Sequence, residues 1–125
     1  MKLLSIALSI VLVLVLSGPL IQDASALSVD LGTKALAWSP GIVDATHGAA
    51  ASYNVKCGPT TGVYNTVVGI TAPSTSVLIK SVVNTPGTYF CVVTGVNSFG
   101  ESAPSNELTF QAGYGPSVPA ALTIQ

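Results

Sequence analysis

Hydrophobic and polar residues alternate in short runs along most of the chain, and Gly, Pro or Asn separates one run from the next. An alternation of period two is typical of a strand with one face in a core. The runs are residues 27–31, 34–39, 53–57, 64–70, 75–83, 88–96 and 107–111. None of these runs keeps a helical period, so the pattern predicts an all-β sandwich of short strands.

The first 26 residues have a different pattern, that of a secretory signal. Met1 and Lys2 form a positive start, residues 3–17 are almost wholly apolar, and Ala24-Ser25-Ala26 is a small-x-small cleavage site. A membrane helix needs about 20 apolar residues, and this run stops at Gly18-Pro19. We expect residues 1–26 to be removed and the protein to be secreted, with an uncleaved membrane anchor as the alternative.

Charged residues are scarce. The chain has 4 Lys+Arg, 5 Asp+Glu and 1 His, a net charge of -1, and only 7 % charged against 49 % hydrophobic residues. Without a basic patch, electrostatic capture of nucleic acid or of an anionic membrane is excluded. General acid-base chemistry also needs titratable side chains. The composition therefore predicts a protein that is not an enzyme and holds no cofactor.

Cys57 and Cys91 are the only cysteines, and a secreted protein would keep them in an oxidising compartment. This favours a disulfide, with two buried free thiols as the alternative. A zinc site would need about four ligands, and beyond the thiols the chain offers only His47. We therefore expect no metal and no catalytic cysteine. His47, near Asp44, is interpreted as a solvated loop residue.

Several motifs together resemble a fibronectin type III domain, in particular the small secreted bacterial and phage-associated versions. In order they are Leu36-x-Trp38-x-Pro40, Tyr53-x-Val55-x-Cys57-Gly58, Gly62-x-Tyr64, Pro86-Gly87-Thr88-Tyr89-x-Cys91-x-Val93 and Asn97-x-x-Gly100-Glu101-Ser102-x-Pro104. The resemblance covers about residues 28–111, and we assign residues 27–112 to this domain. Cys57 and Cys91 depart from it, because the family usually has an aromatic residue at the first position and Phe, Val or Ala at the second.

The resemblance implies an immunoglobulin-like sandwich of about seven antiparallel strands, in which the first, second and fifth runs face the other four. The expected core residues are Leu36, Trp38, Tyr53, Val55, Tyr89 and Val93. Trp38 would be the central aromatic, and the hydroxyl of Tyr89 would return to the turn at residues 83–86.

The third and sixth runs are antiparallel neighbours in this fold. If Cys57 lies opposite Cys91, Val55 falls opposite Val93 and Tyr53 opposite Gly95, a register that pairs apolar faces. Directly opposed residues are within the Cα separation that a disulfide spans.

The resemblance also places three loops, residues 39–51, 71–74 and 97–104, at one end of the domain, here called the loop pole. Fibronectin type III domains commonly bind partners there. The candidate binding residues are Ile42, Val43, Asn97 and Phe99. In the alternative interpretation, Ile42 and Val43 cap the core and Phe99 folds onto its turn.

Residues 113–125 form a C-terminal tail that begins like a linker and ends in a strand pattern, Ala121-Leu122-Thr123-Ile124. This pattern resembles the first strand of a following fibronectin type III module. We expect the tail to be disordered or loosely packed on its own domain, and the alternative is that its strand pairs with an exposed sheet edge of the same or another subunit. Two functions remain. One is a secreted, non-catalytic adhesion module for an extracellular protein or polysaccharide. The alternative is a structural subunit of a cell-surface or virion assembly that self-associates through sheet edges or this strand.

Overall fold

A computed structural model describes residues 27–125, so the predicted signal segment lies outside the described residues. The strands are β1 (Leu27–Asp30), β2 (Ala35–Ala37), β3 (Ser52–Gly58), β4 (Thr66–Thr71), β5 (Ser76–Leu78), β6 (Gly87–Asn97), β7 (Gly100–Glu101) and β8 (Leu108–Gly113). Helical structure in the described range is limited to one 3₁₀ turn, Ile79–Ser81. The predicted all-β fold is confirmed.

The larger sheet has six strands in the order β1-β8-β6-β3-β4, and β7 folds back onto β6. β3 and β6 pair antiparallel with Cys57 opposite Cys91, Val55 opposite Val93 and Tyr53 opposite Gly95. This is the predicted register. The Cα atoms of the two cysteines are 4.1 Å apart and their sulfur atoms 2.03 Å apart, the distance of a disulfide bond.

The smaller sheet contains only β2 and β5, paired antiparallel. The predicted strand at residues 75–83 is wrong in its second half, because the chain turns at Ile79. The amides of Val82 and Val83 both donate to the carbonyl of Ile79, at 2.9 Å each. All three side chains are buried, and their i, i+3, i+4 spacing is the helical signal that a period-two interpretation missed.

β1 pairs in parallel with β8 of the larger sheet, so the expectation that the first strand joins the smaller sheet is wrong. The pairing continues past β1, where the amide of Leu31 donates to the carbonyl of Gly113 at 2.7 Å and the Leu31 side chain enters the core. The Asp30 carboxylate then accepts a hydrogen bond from the Gly32 amide. This turn directs the chain across to β2.

One hydrophobic cluster contains residues of both sheets. Its largest fully buried side chains are Phe110, Leu31, Ile79, Val55 and Cys57. Of the predicted core, Leu36, Tyr53 and Val55 are buried. Trp38, Tyr89 and Val93 are partly buried and pack against the cluster. The prediction of Trp38 as the central core aromatic is therefore wrong, because Phe110 is the largest fully buried side chain and Trp38 is only partly buried.

Tyr89 links β6 to the turn before it, as predicted. Its hydroxyl donates to the carbonyl of Thr85 at 2.7 Å, and its ring lies 6.0 Å from that of Phe110. The phenol therefore ties the turn to the core while its polar atom keeps a hydrogen bond.

Candidate functional site

The three loops expected at the loop pole meet around one open depression of about 950 Å³. Residues 39–44, 72–73 and 97, together with 99–104, contribute to its lining. All four candidate binding residues, Ile42, Val43, Asn97 and Phe99, lie around it. The structure thus brings together residues that are far apart in the sequence.

Hydrogen bonds fasten the loops to one another. The side-chain amide of Asn97 donates to the carbonyl of Ala49 at 3.2 Å. The amide of Ala51 donates to the carbonyl of Val96 at 2.7 Å, and the Ala51 carbonyl accepts a bond from the Ala72 amide. These bonds join all three loops, so the depression is preformed.

The loop at residues 97–104 contains a small hairpin that the sequence did not reveal. β7 pairs back onto the end of β6, with Glu101 opposite Val96 and Gly100 opposite Asn97. Gly100 has φ +148°, a conformation that favours glycine. Phe99 is held at the tip of this hairpin, where its amide donates to the Asn97 side chain at 2.9 Å.

Three large apolar side chains around the depression are exposed to solvent. Phe99 is 96 % exposed, Ile42 80 % and Val43 63 %. The alternative interpretation, in which Ile42 and Val43 cap the core and Phe99 folds onto its turn, is therefore wrong. Trp38 and Tyr53, whose rings meet edge to face at 5.4 Å, line the same depression.

Trp38 contributes to both the core and the wall of the depression. It packs against the hydrophobic cluster and lines the depression. Its indole Nε1 is buried without a hydrogen-bond partner among residues 27–125. The main-chain amide of Trp38 donates to the carbonyl of Thr75 at 3.0 Å, which continues the β2–β5 pairing.

Asp44, Thr46 and His47 form a small polar turn within the loop at residues 39–51. The Asp44 carboxylate accepts a bond from the Thr46 amide at 2.9 Å and lies 2.8 Å from Nδ1 of His47. The contact with His47 is the main cause that holds the pKa of Asp44 below its usual value. His47 is exposed, as expected. Within residues 27–125 there is no cluster of three potential metal ligands.

Glu101 is the centre of a second polar group at the loop pole, on the outer face of the larger sheet. It forms an ion pair with Lys56 at 2.8 Å and accepts hydrogen bonds from Thr94 and Asn54. The bond from Lys56, followed by those from Thr94 and Asn54, lowers the pKa of Glu101 to about 2. The negative charge is therefore paired, and the contacts hold β7 against the sheet.

Glu107 forms a third polar group, which sequence reasoning did not identify. It accepts bonds from the hydroxyl of Thr61 at 2.6 Å, from the amide of Gly62 at 3.1 Å and from Tyr64. These bonds lower the pKa of Glu107 and raise that of Tyr64. They fasten the turn after β3 to the start of β8, so their role is structural.

Comparisons with protein-family models, curated proteins and solved structures give no significant match to the chain. The part of the chain that the structure describes also contains no helix long and apolar enough to cross a membrane. The loop pole, where exposed apolar side chains surround a preformed depression, is therefore the candidate functional site.

Proposed function

We propose that this protein is a secreted, non-catalytic binding module of the fibronectin type III kind, which holds an extracellular protein or glycan at its loop pole. The observation that carries this proposal is the exposure of Phe99, Ile42 and Val43 around one preformed depression. Large apolar side chains at the centre of a contact surface supply most of the binding energy in many interfaces.

The loops favour binding because they are already ordered. Ordering a loop on association costs free energy, and a preformed site avoids that cost. The bonds from Asn97 to Ala49 and from Ala51 to Val96 hold the loops in place. The ion pair of Glu101 with Lys56 leaves few unpaired charges at the surface. We therefore expect binding to depend on apolar contact rather than on electrostatic attraction.

Several contacts support the fibronectin type III assignment. Two sheets share one hydrophobic cluster, and the hydroxyl of Tyr89 returns to the preceding turn at Thr85. The parallel pairing of β1 with β8 differs from the arrangement expected for the family. The cysteine pair is in keeping with a secreted protein, because disulfides persist in oxidising compartments.

A capture experiment tests the proposed function. Residues 27–125, immobilised, should retain a component of the source culture medium or a glycan on an array, and Phe99→Ala should weaken that binding by at least about fivefold. Val67→Ala is the matched control, because Val67 is also exposed but lies on β4, outside the loop pole. Equal loss of binding in both variants, or no loss in either, contradicts the proposal.

A second candidate function is that of a self-associating structural subunit, and the open sheet edges favour it. β1 and β4 are the outer strands of the larger sheet, and β2 and β5 each have a single partner strand among the described residues. Unpaired edges can accept a strand from another chain. Analytical ultracentrifugation of residues 27–125 tests this function, because a particle that stays monomeric at all concentrations contradicts it.

A further inference from the structure

The C-terminal tail is a second exposed apolar surface of this protein. Val118 is 89 % exposed, Leu122 100 % and Ile124 98 %. Residues 114–125 belong to no strand, although their end has a strand pattern. The tail contains no Asp, Glu, Lys, Arg or His. It therefore matches the apolar side chains at the rim of the loop pole, Phe99, Ile42 and Val43.

The tail and the loop pole lie at opposite ends of the larger sheet. β8 runs antiparallel to β6, and its residue Ala112 lies opposite Gly87, the first residue of β6. Asn97, the last residue of β6, lies at the loop pole. The chain therefore leaves β8 at the end of the domain that is farthest from Phe99.

The tail is too short to bring its apolar side chains into the loop pole of its own domain. The ten steps from Gly87 to Asn97 along β6 span roughly 33 Å at the rise of a strand. β8 runs away from the loop pole, so the tail has to reverse its direction first, which uses about three residues. From Pro116, the eight steps to Ile124 then reach at most about 29 Å when fully extended, and about 25 Å at the polyproline II rise that Pro116 and Pro119 favour. The tail of a second copy is not limited in this way, because that copy can lie next to the loop pole.

We propose that the tail of one copy docks in the loop pole of the next copy, with Leu122 and Ile124 packed against Phe99, Ile42 and Val43. This inference rests on the proposed function, since it names the partner of the same site. The two contacting surfaces are different and lie at opposite ends of each copy. Such a heterologous contact does not pair two copies symmetrically, and an open chain of copies forms unless the rotation closes a ring.

The chemistry of the two surfaces sets how this contact responds to solution conditions. Because the tail contains no Asp, Glu, Lys, Arg or His, sodium chloride screens little of the attraction. Sulfate strengthens the burial of apolar groups and should shift the protein toward larger assemblies. The prolines limit the conformations of the free tail, which lowers the entropic cost of ordering it.

Two complementary variants test the contact. Phe99→Asp blocks the loop pole and leaves the tail intact. The double variant Leu122→Asp, Ile124→Asp blocks the tail and leaves the pole intact. In analytical ultracentrifugation, residues 27–125 should form larger assemblies as the concentration rises, and each variant alone should remain monomeric. An equimolar mixture of the two variants should give a heterodimer and nothing larger, because each supplies the one surface that the other lacks.

Val67→Asp is the matched control, since it places the same charge on exposed β4, away from both surfaces, and it should assemble like the unmodified protein. A mixture that stays monomeric overturns the inference. The inference is also overturned if assembly survives Phe99→Asp and is lost only with the tail variant, or if assembly is lost with Val67→Asp. Each of these last two results indicates that the tail adds to a sheet edge instead.

A synthetic peptide of residues 113–125 separates this inference from the proposed function. By fluorescence anisotropy, the peptide should bind a domain that lacks residues 116–125, and Phe99→Ala should weaken this binding by at least about fivefold. If the peptide does not bind while the same domain still captures another partner through Phe99, the inference fails and the proposed function stands. If no binding of any kind depends on Phe99, both fail.

Discussion

The side-chain amide of Asn97 donates a hydrogen bond to the main-chain carbonyl of Ala49, 3.2 Å away and 48 residues earlier in the chain. The oxygen of the same side chain accepts a bond from the amide of Phe99 at 2.9 Å. One side chain therefore sets both the position of the tip residue Phe99 and the distance between the two longer loops of the loop pole.

Replacing Asn97 should loosen the loop pole without unfolding the domain. Asn97→Ala removes both bonds, and a net contribution of about 1 kcal/mol for each gives a loss of about 2 kcal/mol in the free energy of unfolding. Hydrogen exchange at the amides of Asp44, His47 and Ala51, which are bonded within or beside the first loop, should become faster. Asn97→Asp is the control, since it keeps the acceptor for Phe99 and loses only the donor to Ala49. Unchanged exchange in both variants contradicts this role of Asn97.

The pairing of Cys57 with Cys91 should be a disulfide in protein purified without a reducing agent. Both residues are buried and directly opposed on β3 and β6. The intact mass should rise by two hydrogens on reduction, and alkylation without reduction should label neither cysteine. Replacing both by Ala should lower the free energy of unfolding by about 2–5 kcal/mol, the usual loss for a small secreted domain. Two thiols that are alkylated in unfolded but unreduced protein would show that the bond is absent.

Glu101 should make stability depend on pH in acid solution. Its pKa in the folded protein is about 2, below the ordinary value of 4.5, mainly because of Lys56 and then of Thr94. A carboxyl group whose pKa is lowered by folding stabilises the folded protein at pH values above its ordinary pKa. This contribution is lost as the pH falls toward the pKa in the folded protein. The stability difference between the unmodified protein and Glu101→Gln should therefore be full at pH 7, shrink below about 4.5 and vanish near 2.

The cause of this pKa shift has a separate test. In Lys56→Met the pKa of Glu101, followed by the NMR shift of its carboxyl carbon, should move upward toward its ordinary value, since the largest cause is gone. The carboxyl of Glu107, which is bonded to Thr61, Tyr64 and Gly62 instead, should titrate as before. Equal movement of both carboxyls would show that the effect is not specific to the ion pair.

Two phenylalanines should respond in opposite ways to the same substitution. Phe110 belongs to the hydrophobic cluster and is 1 % exposed, and Phe99 is 96 % exposed at a hairpin tip. Phe110→Ala should lower the free energy of unfolding by about 3–5 kcal/mol because it leaves a cavity. Phe99→Ala should change it by no more than about 0.5 kcal/mol. Chemical denaturation measures both, and an unfolded Phe99→Ala protein would assign that side chain to the core.

Two glycines near the end of β3 should also differ. A Cβ at Gly58 would lie 1.8 Å from the carbonyl oxygen of Val63, so Gly58→Ala forces the following turn to move. At Gly62, where φ is +78°, a Cβ would meet nothing within 4 Å. Gly62→Ala should lower the free energy of unfolding only by the cost of a positive φ for alanine, about 1 kcal/mol. Gly58→Ala should lower it by more. It should also break the bonds of Glu107 to this turn, which NMR chemical shifts would detect. Equal losses in the two variants would contradict the close approach.

Much of the larger sheet was predictable from local pattern. Tyr53, Val55 and Cys57 alternate on one face of β3. The resemblance makes β3 and β6 antiparallel neighbours, and placing Cys57 opposite Cys91 then gives the register that the structure has. The return of the Tyr89 hydroxyl to the preceding turn, where it bonds to Thr85, was implied by the resemblance to fibronectin type III domains. The turn at Ile79 could have been found from helical spacing, but the β-branched residues around it hid that signal.

The candidate site was predictable only as a set of residues. The sequence identified Ile42, Val43, Asn97 and Phe99 because large or polar side chains stand in loops that the resemblance places at one end. Whether these side chains point to water or into the core depends on which other side chains fill the core. Its largest fully buried side chains include Phe110, Leu31 and Ile79, and no local pattern shows that.

The sequence by itself determined the strand segments, because period-two alternation is a local property that each strand carries. The neighbouring placement of β3 and β6, and with it the opposition of Cys57 and Cys91, was an expectation from the fibronectin type III resemblance. Only the tertiary structure decided the parallel pairing of β1 with β8, the burial of Phe110 and the exposure of Phe99. Each of these depends on competition between distant segments for the same space and the same hydrogen-bonding edge. That competition is settled by the packing of the whole chain and leaves no signal in the residues next to each position.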